Sequence, residues 1–418
     1  MSQILPSARA LQLAVVSSLL GASCASHLDP TTARAEFSSK SQSLGGAAAK
    51  ATPAPAAAVV PPTAEPAPTT TTVAVTTEPV KPIVAPPQLP VTPIAPPPTK
   101  VAVTTTSSAP SAETALHEPP NANLTRDANR VLRAAAVSDW AALRAHAIEA
   151  CIRSPRLLAE LAPRALVDEN RGVRFVACMS VANARVTAVK DLVEPLLHDP
   201  SPSVQAAAML AMSRLGTSVD FTPLAAMLEQ NDPEIRANAY LVLGELGNAS
   251  AIPLITSSLG HGMKLINPLR VRLVDLAAAE ALVKLGEERE IEPIRAALFA
   301  PPEQGELTIV ACDAIGRLKD EVSRPMLERV ITAQGSAERS PEIRLAAARA
   351  LAKLGSEKAP LMIARQYATH PDARVRAQTA SLLGEIASPE AESLLGTLLL
   401  DANPSVQIAA AAGFEAAD

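Results

Sequence analysis

The chain has 418 residues, of which 48% are hydrophobic and only 2% aromatic, and its 42 acids outnumber its 37 bases to leave a net charge of −5. A nucleic-acid binder needs a basic surface and, for single strands, rings on which bases stack. Acidic and poor in rings, this chain is set apart from that class.

Residues 1–24 read as an export signal. Arg9 supplies a positive start, and Leu11 to Leu20 forms a short apolar core interrupted by Ser17 and Ser18. That run is too short to stay in a bilayer as a spanning helix. It closes with Leu20-Gly21-Ala22-Ser23-Cys24, which is similar to a bacterial lipoprotein box, with Gly21 where that family usually carries Leu. The resemblance implies a lipidated Cys24. Through Ala25 at the next position it also implies an exported outer-membrane lipoprotein facing the periplasm or the exterior. Ordinary cleavage, after Ala25, is the alternative.

Residues 25–123 show no apolar period. They are Pro, Ala, Thr and Val in stretches such as Val84-Ala85-Pro86-Pro87 and Pro96-Pro97-Pro98. Such a composition buries no core and is expected to form a disordered, extended tether. Residues 1–123 carry six acids and six bases, so the whole net charge belongs to residues 124–418.

Residues 124–418 repeat. Nine apolar anchors recur at Leu143, Val173, Val204, Ile235, Val274, Leu307, Ile343, Val375 and Val406, at spacings of 30, 31, 31, 39, 33, 36, 32 and 31. A small residue follows each by four (Ala147, Ala177 and Ala208 to Thr379 and Ala410), and an apolar one by eight (Cys151, Val181 and Met212 to Leu383 and Phe414). Positions i, i+4 and i+8 share one helical face. A second apolar helix falls between copies, at Phe221 to Gln230, Ile252 to Leu259, Ile291 to Ala300, Ala359 to His370 and Ala391 to Leu400, and breakers such as Asp199-Pro200-Ser201-Pro202 separate them. Each unit is a helical hairpin that cannot bury its face alone, so the hairpins must stack.

The pattern Asp-Pro-x-x-(Val/Ile)-(Arg/Gln)-x-x-Ala with a trailing Leu-Gly, as at Leu215-Gly216 and Leu354-Gly355, resembles the HEAT repeat, in particular the short HEAT-like variety of phycobilisome lyases. The resemblance implies an all-α solenoid of about nine hairpins, wound as a right-handed superhelix with the Arg-bearing helices on its concave side. Two copies depart from it: Asp275 and Thr308 replace the Arg, and Lys319 replaces the Gly. The long intervals hold insertions at Gly260 to Lys264 and Gly335 to Arg339, candidate binding loops.

Three groups of residues stand out. Arg144, Arg174, Arg236, Arg344 and Arg376 sit near helix starts, where a cation opposes the dipole. An Asp–Arg ladder with the turn acids Asp139, Asp168, Asp199, Asp232 and Asp372 would offset this. Ten residues past the anchors, Arg153, Arg214, Lys284, Arg317 and Lys353 form a mostly basic row, interleaved with Asn183, Glu245 and Glu385. This row is the candidate contact surface for an acidic protein segment or an anionic envelope polymer; the alternative is a set of solvated cations that complement the helix C-termini. Cys151, Cys178 and Cys312 read as small buried hydrophobes. In the last unit Ile408, Ala411 and Phe414 end the array with little cover; either a partner or a second copy covers them, or the small Ala surface is left bare at little cost.

No nucleophile elbow, phosphate loop, zinc motif or histidine constellation is present in the sequence. The function expected is a non-enzymatic protein-binding scaffold without cofactor or metal, tethered by lipid to the cell envelope and gripping a protein partner with its concave face. The alternatives are a lyase-like protein, or a lyase partner, handling a tetrapyrrole, and a purely structural envelope spacer.

Overall fold

A computed structural model describes residues 122–260 and 267–414; the signal, Cys24, the tether and most of the Gly260–Lys264 insertion lie outside the described residues. Eighteen α-helices and no strands are found among the described residues. The nine anchored helices are α2 (Ala141–Ala150), α4 (Arg171–Ala184), α6 (Pro202–Arg214), α8 (Pro233–Leu246), α10 (Pro268–Lys284), α12 (Gly305–Leu318), α14 (Pro341–Lys353), α16 (Ala373–Leu383) and α18 (Pro404–Ala411). Each follows a second helix: α1 (Ala122–Ala135), α3 (Pro155–Leu166), α5 (Lys190–Val193, lengthened by 3-10 turns on both sides), α7 (Thr222–Leu228), α9 (Ile252–Ser258), α11 (Ile291–Ala297), α13 (Arg324–Thr332), α15 (Lys358–Tyr367) and α17 (Pro389–Leu398). The array is the expected all-α solenoid of nine hairpins.

The period becomes a core. All nine small residues four past the anchors, Ala147 through Ala410, are 0% exposed, which places that slot at the closest approach of neighbouring helices. At Gly244 a Cβ would stand 2.9 Å from the Ala281 Cα, so α8 and α10 touch there almost backbone to backbone. The Leu-Gly ending is a helix stop in which the Gly takes a left-handed conformation, with φ +82° at Gly216 and +84° at Gly355. In the sixth unit Lys319 adopts the same conformation (φ 57°) despite its Cβ. Cys151, Cys178 and Cys312 are free and buried, and burial pushes the Cys151 thiol up to about 12.

The row of hairpins differs from an open superhelix in one respect. Each anchored helix packs on the next, and the last, α18, packs on α2 and α1 at the beginning of the array. Leu124 of α1 lies against Gly396 of α17. The nine anchored helices therefore close on themselves. Closure corrects the expectation of an uncovered last unit: Ile408, Ala411 and Phe414 are buried, capped by the first unit of the same chain rather than by a partner. Two bonds skip a helix, Arg171 of α4 to Glu234 of α8 at 3.1 Å and Arg153, just past α2, to the Gly384 carbonyl beside α16 at 3.1 Å. Chords of this kind run across a concave side, so the anchored helices form the inner layer.

Candidate functional site

In five of the nine copies the residue after the anchor settles the carbonyls of its own turn. Arg144 donates to the Ser138 and Asp139 carbonyls, Arg174 to those of Asp168 and Glu169, and Arg376 to those of His370 and Pro371. Gln205 and Gln407 do the same without charge, to the Asp199 and Asp401 carbonyls, and Thr308 reaches the Ala297 carbonyl at 3.1 Å. These groups at the end of the preceding helix lack intrahelical partners, which is why an Arg is tolerated near a helix start.

The ladder then depends on one slot, five residues before the next anchor. Where that slot holds Asp, the Arg of the preceding unit bridges to it with two hydrogen bonds: Arg144 to Asp168, Arg174 to Asp199 and Arg376 to Asp401, each with its shorter contact at 2.7 Å. Burial alone would raise the Asp168 carboxyl, but the Arg144 and Asn170 hydrogen bonds and the Arg144 and Arg174 charges bring it below its usual range. The other expected ladder members do not pair this way. Asp232 and Asp372 stand three before their anchors, in the helix-cap slot, where each accepts the amide two residues on. Asp372 also binds Arg374. Asp139, four before its anchor, makes no hydrogen bond or ion pair among the described residues, and only its charge acts on Arg144. Arg344 faces His370 in the decisive slot and turns instead to Glu338 and the Tyr367 hydroxyl. Arg236 is 0% exposed and donates to the Ser258 carbonyl.

The mostly basic row is not a free stripe. Arg214 binds Asn183 and Glu245, Lys284 lies 3.0 Å from Glu245 and 2.9 Å from Glu280, and Arg317 lies 2.6 Å from Glu280. Arg153 is engaged by the Gly384 carbonyl. Only Lys353 keeps its ammonium out of a direct pair, and burial, with Arg349 nearby, lowers it to about 7. Of the carboxylates responsible, Glu245 stands in the row itself and Glu280 stands six residues past its anchor. There Glu280 and Asp313, the latter bonded to Arg349, replace the apolar Met179 and Leu210 of other copies. Glu149 occupies the same slot without a hydrogen bond or ion pair, and burial, opposed by Arg349, pushes it up to about 7. Sequence reasoning followed slots four, eight and ten and missed slot six. Its signal was present, since charges in that slot cluster in copies five to seven.

The Gly335–Arg339 insertion borders a recess. A groove of about 330 Å³ runs between the starts of α12 and α14. Its apolar lining includes Ile309 and Ile343, and its polar lining is Glu306, Glu338, Glu342, Arg339 and Ser340. Arg270 stands 3.5 Å from Glu306, and Arg344 stands 3.1 Å from Glu338. Glu342 makes no hydrogen bond or ion pair among the described residues, and its charge acts on Arg374. The groove thus offers an apolar floor and three lining carboxylates against one lining cation, Arg339, an acidic balance that suits a short segment with a cationic and an apolar side chain. It holds no nucleophile–base pair, and no metal-holding cluster of His, Cys, Asp and Glu is found among the described residues.

Comparison with known families gives one finding. A family model described as HEAT repeats matches residues 154–234 and 196–266. Comparison with curated proteins gives no match.

Proposed function

Because residues 154–266 are HEAT repeats, a fold that commonly mediates protein–protein contact, we propose that this chain is a non-enzymatic protein-binding scaffold, and that it holds a polypeptide segment in the α12–α14 groove. The observation that carries this reading is the contrast between the inner belt and the groove. In the belt most charges are held in ion pairs by neighbouring repeats, whereas in the groove Glu342 lies outside any hydrogen bond or ion pair, with only the charge of Arg374 acting on it, beside Ile309 and Ile343. The finer reading adds an envelope tether: a lipidated Cys24 followed by a long Pro-rich arm, supported by the sequence alone. Two acyl signals or more make such an anchor stable.

The test is site-specific photo-crosslinking in intact cells from position 342, compared with Glu328 on the exposed face of α13. A single polypeptide captured at 342, absent at 328 and lost on Ile309→Asp, is the expected result. Equal capture at both positions, or none at 342, overturns the groove. Fatty-acid labelling that is unchanged by Cys24→Ala overturns the tether.

A further inference from the structure

The joint where the ring closes departs from the other joints in several slots at once. At the cap slot, three before the anchor, Asn170, Asp232, Asp372 and Asn403 accept a backbone amide, while Ser201, Gln304 and Ser340 are polar but make no capping bond. In the first unit that slot holds Trp140, which makes no capping bond and is 74% exposed. It is the only Trp of the chain. An aromatic side chain cannot accept from the helix amides, so α2 forgoes a cap while a large ring stands in water.

Six before the anchor, three consecutive turns across the joint expose apolar side chains: Leu400 at 81%, Val137 at 51% and Val167 at 69%. The equivalent positions elsewhere include His198 and Glu229. No Asp–Arg bridge spans the joint either, because Gln407 stands where Arg376 does and Ser138 where Asp401 does. Asp139, beside Trp140, is exposed and makes no hydrogen bond or ion pair among the described residues, only its charge acting on Arg144, while Glu169 on the next turn is 91% exposed in its side chain and 3.8 Å from Arg144. Arg133, the cation on the flank, is taken by Glu160. Exposed Arg164, one helical turn before Val167, bounds the patch on the other side.

We propose that this edge is a docking surface for a basic, apolar segment of a partner polypeptide. An Arg or Lys of that segment lies over the Trp140 ring and against Asp139, and its apolar neighbours cover Leu400, Val137 and Val167. A ring face next to a carboxylate attracts a cation more strongly than either alone. The apolar turns add area that becomes favourable only when water is displaced. Charge complementarity selects this occupant: an acidic segment meets Asp139 and Glu169, and an anionic lipid surface meets the same repulsion. The proposal rests on the scaffold reading but uses another face, so its failure leaves the α12–α14 groove untouched.

Because Trp140 is the only indole, its emission reports this surface directly. The full chain is titrated with a capped heptapeptide alternating leucine and arginine, with its glutamate-for-arginine counterpart, and with phosphatidylcholine vesicles. A saturable blue shift with the arginine peptide alone is expected, weakened at least five-fold in Asp139→Asn and in Leu400→Ser. Glu342→Gln should leave it unchanged. In Trp140→Asn, which restores a capping residue and keeps the fold, calorimetric binding of the arginine peptide should vanish. A response equal for both peptides, or no saturable response to the arginine peptide, overturns the proposal. A shift produced by vesicles assigns the surface to lipid, and a shift with protein concentration alone assigns it to a second copy; either outcome overturns it as well.

Discussion

Replacing Arg144 with Ala should destabilise the array by about 3 kcal/mol. The guanidinium holds both Asp168 oxygens, at 2.7 and 2.8 Å, and the carbonyls of Ser138 and Asp139. Both side chains are under one-tenth exposed. Removing one partner of such a pair leaves a desolvated charge, which costs about 3–5 kcal/mol. The low end applies because Asp168 retains the Asn170 amide, 2.9 Å away. Asp168→Ala in the same background removes the stranded charge, so the double variant should be more stable than the sum of the two single losses by about 1.5 kcal/mol or more. Urea unfolding followed by circular dichroism reads all four proteins. The Asp168 carboxyl lies below its usual range in the fold. Its contribution is therefore complete above the unfolded value near pH 4 and is lost as pH falls through the folded one. The gap between wild type and Arg144→Ala should narrow below about pH 4. A loss under about 0.5 kcal/mol at pH 7, or strict additivity, would refute the ladder as a stabilising element.

Other perturbations probe different parts of the molecule. Trp140→Asn supplies the missing cap on α2 and should raise stability by about 1 kcal/mol, read as a higher urea midpoint. Gly244→Val drives a side chain into the Ala281 backbone, 2.9 Å from the first added carbon, and should cost about 1–3 kcal/mol. Glu149→Gln should stabilise the fold at pH 8 by about 1 kcal/mol and have no effect near pH 4. Its carboxyl is raised to about 7, so the folded state holds a proton the unfolded chain has lost, and the strain appears only as pH climbs through that interval. Partial exposure of Glu149 trims the effect below the full shift.

The periodic slots made the hairpins legible, because burial of a small residue every four positions past an anchor has only one helical solution. The Asp–Arg idea was legible as chemistry but not in detail. Asp168 and Asp199 lie five before their anchors, while Asp232 and Asp372 lie three before, and that shift of two residues turns a bridge into a cap. The Gln residues carried a further clue, since Gln205 and Gln407 are followed by Gln230 and Ser138 in the decisive slot. The basic row looked exposed because Glu245, in the row itself, and Glu280, in slot six, reach Arg214 and Arg317 from neighbouring helices only once the hairpins stack. Closure was invisible for a related reason. It needs α18 to find α1 and α2 across the entire array, and no local pattern encodes a contact between residues some 270 apart such as Leu124 and Gly396.

The distance between the two ends of the array tests that closure most directly. Spin labels at Asn123→Cys on α1 and Thr397→Cys on α17 sit at exposed positions beside the Leu124–Gly396 contact, with the native thiols buried and Cys24 replaced by Ser. A closed ring predicts one narrow distance below about 20 Å, roughly two helix diameters. An open row of nine hairpins, stepping about 10 Å each, would give a distance on the order of 80 Å and would contradict the account.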